Sequence, residues 1–134
     1  MNRDLTNCVN AVESLRPAVH ATDADGEAVD TRGADSVAFV VTVGAIVGAG
    51  GDGAIILEES DASGSGYTAV ADADILGSEP TALAANTAYQ FGYSGSKRYV
   101  RVTLDTGTET SIAASGMAVL GDLHRAPSDQ VVTS

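Results

Sequence analysis

From Ser36 onward the chain alternates. In Ser36-Val37-Ala38-Phe39-Val40-Val41-Thr42-Val43, the residues Val37, Phe39, Val41 and Val43 fall on one side of an extended strand. The other side is mostly apolar too, which predicts a central strand covered on both faces. The glycine-rich run 48–53 breaks the chain, and 54–59 (AIILEE) predicts a second strand. Residues 61–66 (DASGSG) form a turn and 67–70 (YTAV) a short third strand, so the three together predict a meander. A longer connection, 71–86, contains Pro80. Residues 87–93 alternate, with Tyr89, Phe91 and Tyr93 on one side. After a turn at 94–96 the alternation resumes, with Val100, Val102 and Leu104 inward and Tyr99, Arg101 and Thr103 outward. A turn at 105–108 leads to a last strand, 112–120, with Ile112, Ala114, Ala118 and Leu120 on one side.

Short strands separated by Gly, Asp and Ser turns predict an all-β chain, an antiparallel β-sandwich of jelly-roll type. The connections are too short for the crossover helices of a parallel sheet. Residues 1–35 read differently. Leu5, Cys8, Val9, Val12 and Leu15 stand at helical spacing, Asp4 is placed to cap, and Pro17 would end the run. A short helix on the core and an arm docking on a neighbouring subunit fit that pattern equally. Residues 20–35 read as loop or irregular strand. The organisation expected is an N-terminal arm over 1–35, a β domain over 36–120 and an extended or loose tail over 121–134. The segment 44–50, rich in glycine, reads as a flexible loop between strands.

Charge narrows the partners. The formal net charge is −11, from 18 acids and 7 bases. Between His20 and Glu79 Arg32 is the one base among twelve acids. Such a surface repels nucleic-acid phosphates and anionic lipid, so neither a nucleic acid nor a membrane is expected as partner. No stretch approaches the ~18 apolar residues that cross a bilayer. The first residues, Met1 to Thr6, lack the apolar core of a signal peptide, which predicts synthesis in a cytoplasm. Cys8 is the one cysteine, so an intrachain disulfide is excluded, and its expected place is a small apolar position in the core.

Chemistry is sparse. Catalysis needs a base beside a nucleophile, and the histidines, His20 and His124, both fall in predicted loops near the ends. No catalytic residue and no cofactor is expected. Asp61, Ser63, Ser65, Gly66 and Asp72 fall at positions 1, 3, 5, 6 and 12 of an EF-hand-like loop. Serine replaces two of the acids, the final ligand is the shorter Asp, and the flanks are strands. The run reads first as a solvated hairpin turn, with Asp61 and Asp72 as the remaining metal candidates. Tyr67, Tyr89, Tyr93 and Tyr99 raise a sugar-stacking face as an alternative to tyrosines in a core or interface.

Several segments carry a resemblance. They are Val29-Asp30-x-Arg32-Gly33-x-Asp35-Ser36, Leu57-Glu58-Glu59-Ser60-Asp61, Tyr67-Thr68-Ala69-Val70, Gly92-Tyr93-x-Gly95-x-Lys97-Arg98-Tyr99-Val100-Arg101-Val102 and Leu120-Gly121-x-x-His124-x-Ala126-Pro127. In that order they span nearly the whole chain, and the sequence resembles a family of small virion proteins of tailed bacteriophages and prophages, encoded near the major capsid protein. The resemblance implies a capsid cement or decoration protein on the outside of the head, with the major capsid protein as partner and a dimer or trimer as its own state. A head-to-tail connector or tail protein and a receptor- or glycan-binding module are the alternatives. For the cement reading, the expected capsid or oligomer contacts are Arg98, Arg101 and Tyr99 on the β domain and Leu5, Val9 and Val12 on the arm. The competing reading of the arginines is an intramolecular surface salt bridge.

Overall fold

A computed structural model describes residues 7–48 and 50–123. The strands are β1 (Asn10–His20), β2 (Ala24–Asp25), β3 (Val29–Asp30), β4 (Ala34–Val47), β5 (Ala54–Ser60), β6 (Thr68–Ala69), β7 (Ile75–Leu76), β8 (Thr87–Tyr93), β9 (Tyr99–Asp105) and β10 (Ser111–Leu123). They form two antiparallel sheets. Sheet A runs β1-β10-β4-β8-β7, and sheet B runs β2-β9-β5-β6, with β3 also paired to β9. From β4 onward the long strands β4, β5, β8, β9 and β10 alternate between the sheets, so β4 and β5 are not neighbours. The expected meander is thereby corrected: the chain crosses the core after Val47 instead of turning back beside itself.

The alternating apolar rows meet between the sheets. Phe39, Val41, Val43, Phe91, Ile112 and Ala118 of sheet A and Val29, Ile55, Leu57, Val100, Val102 and Leu104 of sheet B belong to one buried cluster. The Phe39 and Phe91 rings stack at 5.9 Å. The sheets approach closely at Gly116, where a Cβ would stand 3.0 Å from a Val102 methyl, so a bulkier residue would push them apart.

No helix forms over 7–15; the only helical turn among the described residues is a 3₁₀ turn at Asp72–Asp74. The spacing that predicts a helix has another cause. A register shift between Glu13 and Leu15 places a β-bulge in β1, so Val12 and Leu15, three apart, both reach the core. Pro17 is tolerated because β1 is an edge strand and a second irregularity lies between Leu15 and Ala18. Cys8 precedes the strand and is exposed rather than buried. Within 1–35, β1, β2 and β3 are strands of the two sheets. Ser14 ties the sheets at this edge: its Oγ accepts from Val102 N and donates to the Glu27 carbonyl.

Gly44 to Val47 continue β4 instead of opening a loop. The crossing that follows is pinned: Glu109 Oε1 accepts from Gly50 N at 2.7 Å and Gly51 N at 3.3 Å, and Asp52 Oδ1 accepts from Thr108 N at 2.9 Å. At the C-terminal end, β10 reaches Leu123, and the remainder of the expected tail lies outside the described residues.

Candidate functional site

Each sheet turns one face to the core and one outward, and the two outward faces differ. On sheet B the charged and hydroxyl side chains gather on the outward positions, with Ile56 among them. Arg101, on β9, donates from Nε to Glu58 Oε1 at 2.9 Å, lies 3.7 Å from Asp25, and places its guanidinium 4.0 Å from the centre of the Tyr67 ring. Thr103 donates to the same Glu58 oxygen. Arg98 grips both carboxylate oxygens of Asp30, at 2.9 and 2.8 Å, and stacks on Tyr99. That fork holds the Asp30 carboxyl below its usual range despite partial burial, and raises Arg98 in return. Lys97 pairs with Asp61 at 2.9 Å. The basic cluster anticipated as a contact for acids elsewhere therefore meets acids of its own chain.

Sheet A presents the opposite surface. Its outward residues line up in rows across the strands. One row is Ala11, Val119, Ala38, Gly92 and Leu76; the next is Glu13, Met117, Val40 and Gln90; a third is Ser115, Thr42 and Ala88. In these rows Glu13 is the sole ionisable side chain; it sits on the edge strand and pairs with Arg16 at 3.2 Å. Leu76 and Met117 are 59% and 45% exposed. Leu76 lies over Gly92, where a Cβ would meet it at 3.1 Å, and a shallow hollow of about 490 Å³ opens beside it, floored by Gly92, Ala38, Val119 and Gly121. The apolar second side of β4, expected to be covered, is only half-buried at Ala38 and Val40, and neither sheet B nor another strand is stacked on it among the described residues.

Other sequence candidates fall elsewhere. Val12 is 8% exposed and packs in the core, Val9 is half-buried just before β1, and Leu5 lies outside the described residues. Asp61 is spent on Lys97, Asp72 stands in the 3₁₀ turn, and among the described residues no three His, Cys, Asp or Glu side chains converge as a metal site needs. The four tyrosines do not share one face. Tyr67 and Tyr99 flank arginines on sheet B, whereas Tyr93 is buried and donates to Glu59 across the two sheets at 2.6 Å. Burial first, and then the bond to Glu59, push the Tyr93 phenol up. Tyr89 accepts from Ala84 N through its hydroxyl. His20 ends β1 and His124 lies outside the described residues. Among those residues, no helix is long and apolar enough to cross a membrane.

The face of sheet A was not among the sequence candidates, yet its signal is there: a run apolar on both sides in β4, matched by Met117 and Val119 between the inward residues of β10. No protein-family model, no curated protein and no solved structure matches this chain.

Proposed function

We propose that this chain is a structural virion protein of a tailed bacteriophage, a capsid cement that binds the major capsid protein on the outside of the head and stabilises the shell. One observation carries the reading: a chain of net charge −11 keeps the middle of one sheet face uncharged, with Ala38, Val40, Met117, Val119 and Leu76 set among neutral polar side chains. Exposed apolar patches of that kind mark protein–protein contact. The ion pairs of sheet B, by contrast, are satisfied internally and offer no free reactive group.

The fold assigned here is a jelly-roll β-sandwich, and the strand order supports it. With β2 and β3 counted as one position, the sheets run β1-β10-β4-β8 and β2/β3-β9-β5-β6, the two interlocked Greek keys of a double-sheet jelly roll. That architecture serves viral shells, an argument by analogy of fold. The ordered sequence landmarks support the phage assignment, and the acidic surface favours a position away from packaged DNA. A cement acts by mass action, through binding the assembled shell and not its unassembled parts. The glycan-binding alternative draws less support, since Tyr93 is buried and Tyr89 lies on sheet A, which leaves Tyr67 and Tyr99 together on sheet B.

The test is to count and place the chain in purified particles by quantitative mass spectrometry and cryo-electron microscopy. Copies on the order of hundreds on the outer shell, in proportion to the lattice, are expected. Copies confined to the portal vertex or tail would transfer the role to a connector or tail protein, and absence from the particle would remove the virion reading.

A further inference from the structure

We infer that the outer face of sheet A is an interface between two copies of this chain, packed face to face about a two-fold axis. The inference rests on the reading above in one respect, that the chain works through contact with other protein, and it gives this face to a second copy, so that capsid contact falls to another surface of the dimer.

Charge selects the occupant. Two bodies of net charge −11 repel each other over most of their surfaces. The rows through Met117 and Val40 form the place where two copies can meet without bringing carboxylates together. A basic partner would find no acids there beyond Glu13, already paired with Arg16, and an acidic partner would find no free base. An uncharged face is best matched by another uncharged face, and this chain carries one.

Relief and extent agree. An isologous contact needs projections and hollows on one surface. Met117 and Leu76 project, and the hollow of about 490 Å³ over Gly92 and Gly121 lies beside them. From Ser36 to Gly44 the face is ~27 Å long, and β1, β10, β4 and β8 make it ~19 Å wide, with β7 adding two residues at one corner. That gives ~500 Å² per copy, the extent of a small, reversible interface.

The edges of sheet A are the weaker route. β1 is interrupted by two irregularities and carries Pro17, and beyond the two-residue β7 the ladder left open is the short stretch Thr87–Phe91 of β8.

The test is sedimentation equilibrium of the full chain with its variants. The unmodified protein is expected at 27 kDa, twice its 13.5 kDa. Met117→Asp puts a carboxylate in the middle of the face and is expected to weaken the dimer at least ~100-fold while leaving the circular dichroism spectrum unchanged. Gln90→Glu, which adds charge with almost no change of shape, is expected to weaken it in the same sense. Arg101→Ala, on sheet B, is expected to leave the dimer intact. A monomer at ~100 µM, or a dimer indifferent to Met117→Asp and Gln90→Glu, overturns the inference. The virion reading fails separately. A monomer whose attachment to particles is lost in Met117→Asp gives this face to the capsid protein and ends only the dimer. A dimer that responds as expected but is absent from particles keeps the interface and ends the cement role.

Discussion

The outer faces of sheets A and B are built on the same core by the same alternation, yet they carry opposite surfaces. On sheet B, each outward cation lies against an acid of the chain, and the aromatic rings beside them, Tyr67 and Tyr99, lie under guanidinium groups. On sheet A the outward rows run Ala, Val, Met, Gly, Ser, Thr and Gln across five strands, interrupted by one edge glutamate. The first surface is complete in the isolated chain. The second exposes apolar area that water disfavours, and such area is retained where another molecule covers it. A high density of charge is thus a poor guide to where a protein binds; here the face proposed for contact is the one that carries the least charge.

Three substitutions separate the shared core from the two faces. The largest effect is expected at Phe39, which packs on Phe91 beneath both surfaces. Phe39→Ala should cost about 3–5 kcal/mol in urea unfolding, and a smaller loss would mean that the two sheets do not share one core. Next comes Arg101→Ala. It removes a half-buried pair with Glu58 and the stack on Tyr67, for an expected loss of about 1–2 kcal/mol with no change in association. Met117→Ala reverses that pattern: monomer stability should shift by no more than ~0.5 kcal/mol, whereas self-association should weaken. If Met117→Ala destabilised the monomer more than Arg101→Ala, the contrast between the faces would be lost.

The smallest effect concerns acid. Asp52 accepts from Thr108 N and Oγ1, and these bonds hold its carboxyl below the ordinary value of 3.8. A folded-state pKa below the unfolded one contributes stability above the ordinary value and loses it as the pH falls through the folded value. Asp30, lowered chiefly by its bond to Arg98, acts in the same direction. Stability followed by circular dichroism should therefore decline below about pH 4, and Asp52→Asn should make that decline shallower. An unchanged acid limb in Asp52→Asn would show that its link to Thr108 contributes nothing to acid stability.

How much of this is legible in the sequence depends on how local each signal is. The inward rows of β4, β8, β9 and β10 follow from period-two alternation, because strict alternation has one structural meaning. The N-terminal strand is hidden because its bulge gives Val12 and Leu15 the spacing of a helix. The partners of Arg98 and Arg101 are hidden as well: Asp30 lies 68 positions from Arg98 in sequence and Glu58 lies 43 from Arg101, and only the sheet pairing brings them together. The open face of sheet A is half legible. An apolar second side on β4 says that something covers it, but whether the cover belongs to the same chain is a property of the whole fold.

The position of β10 carries a consequence for how the molecule comes to be made. It lies between β1 and β4, and is synthesised after every other described strand. Until it emerges, β1 has no neighbour in its sheet and β4 has one open flank. The nascent chain cannot close its first sheet in the order in which the ribosome delivers it, so folding must wait for translation and then bring distant segments together, which makes it slow. During that interval the apolar rows of β4 are bare on both sides, and the high density of carboxylates between His20 and Glu79 serves a purpose before any fold exists: it keeps unfinished chains apart.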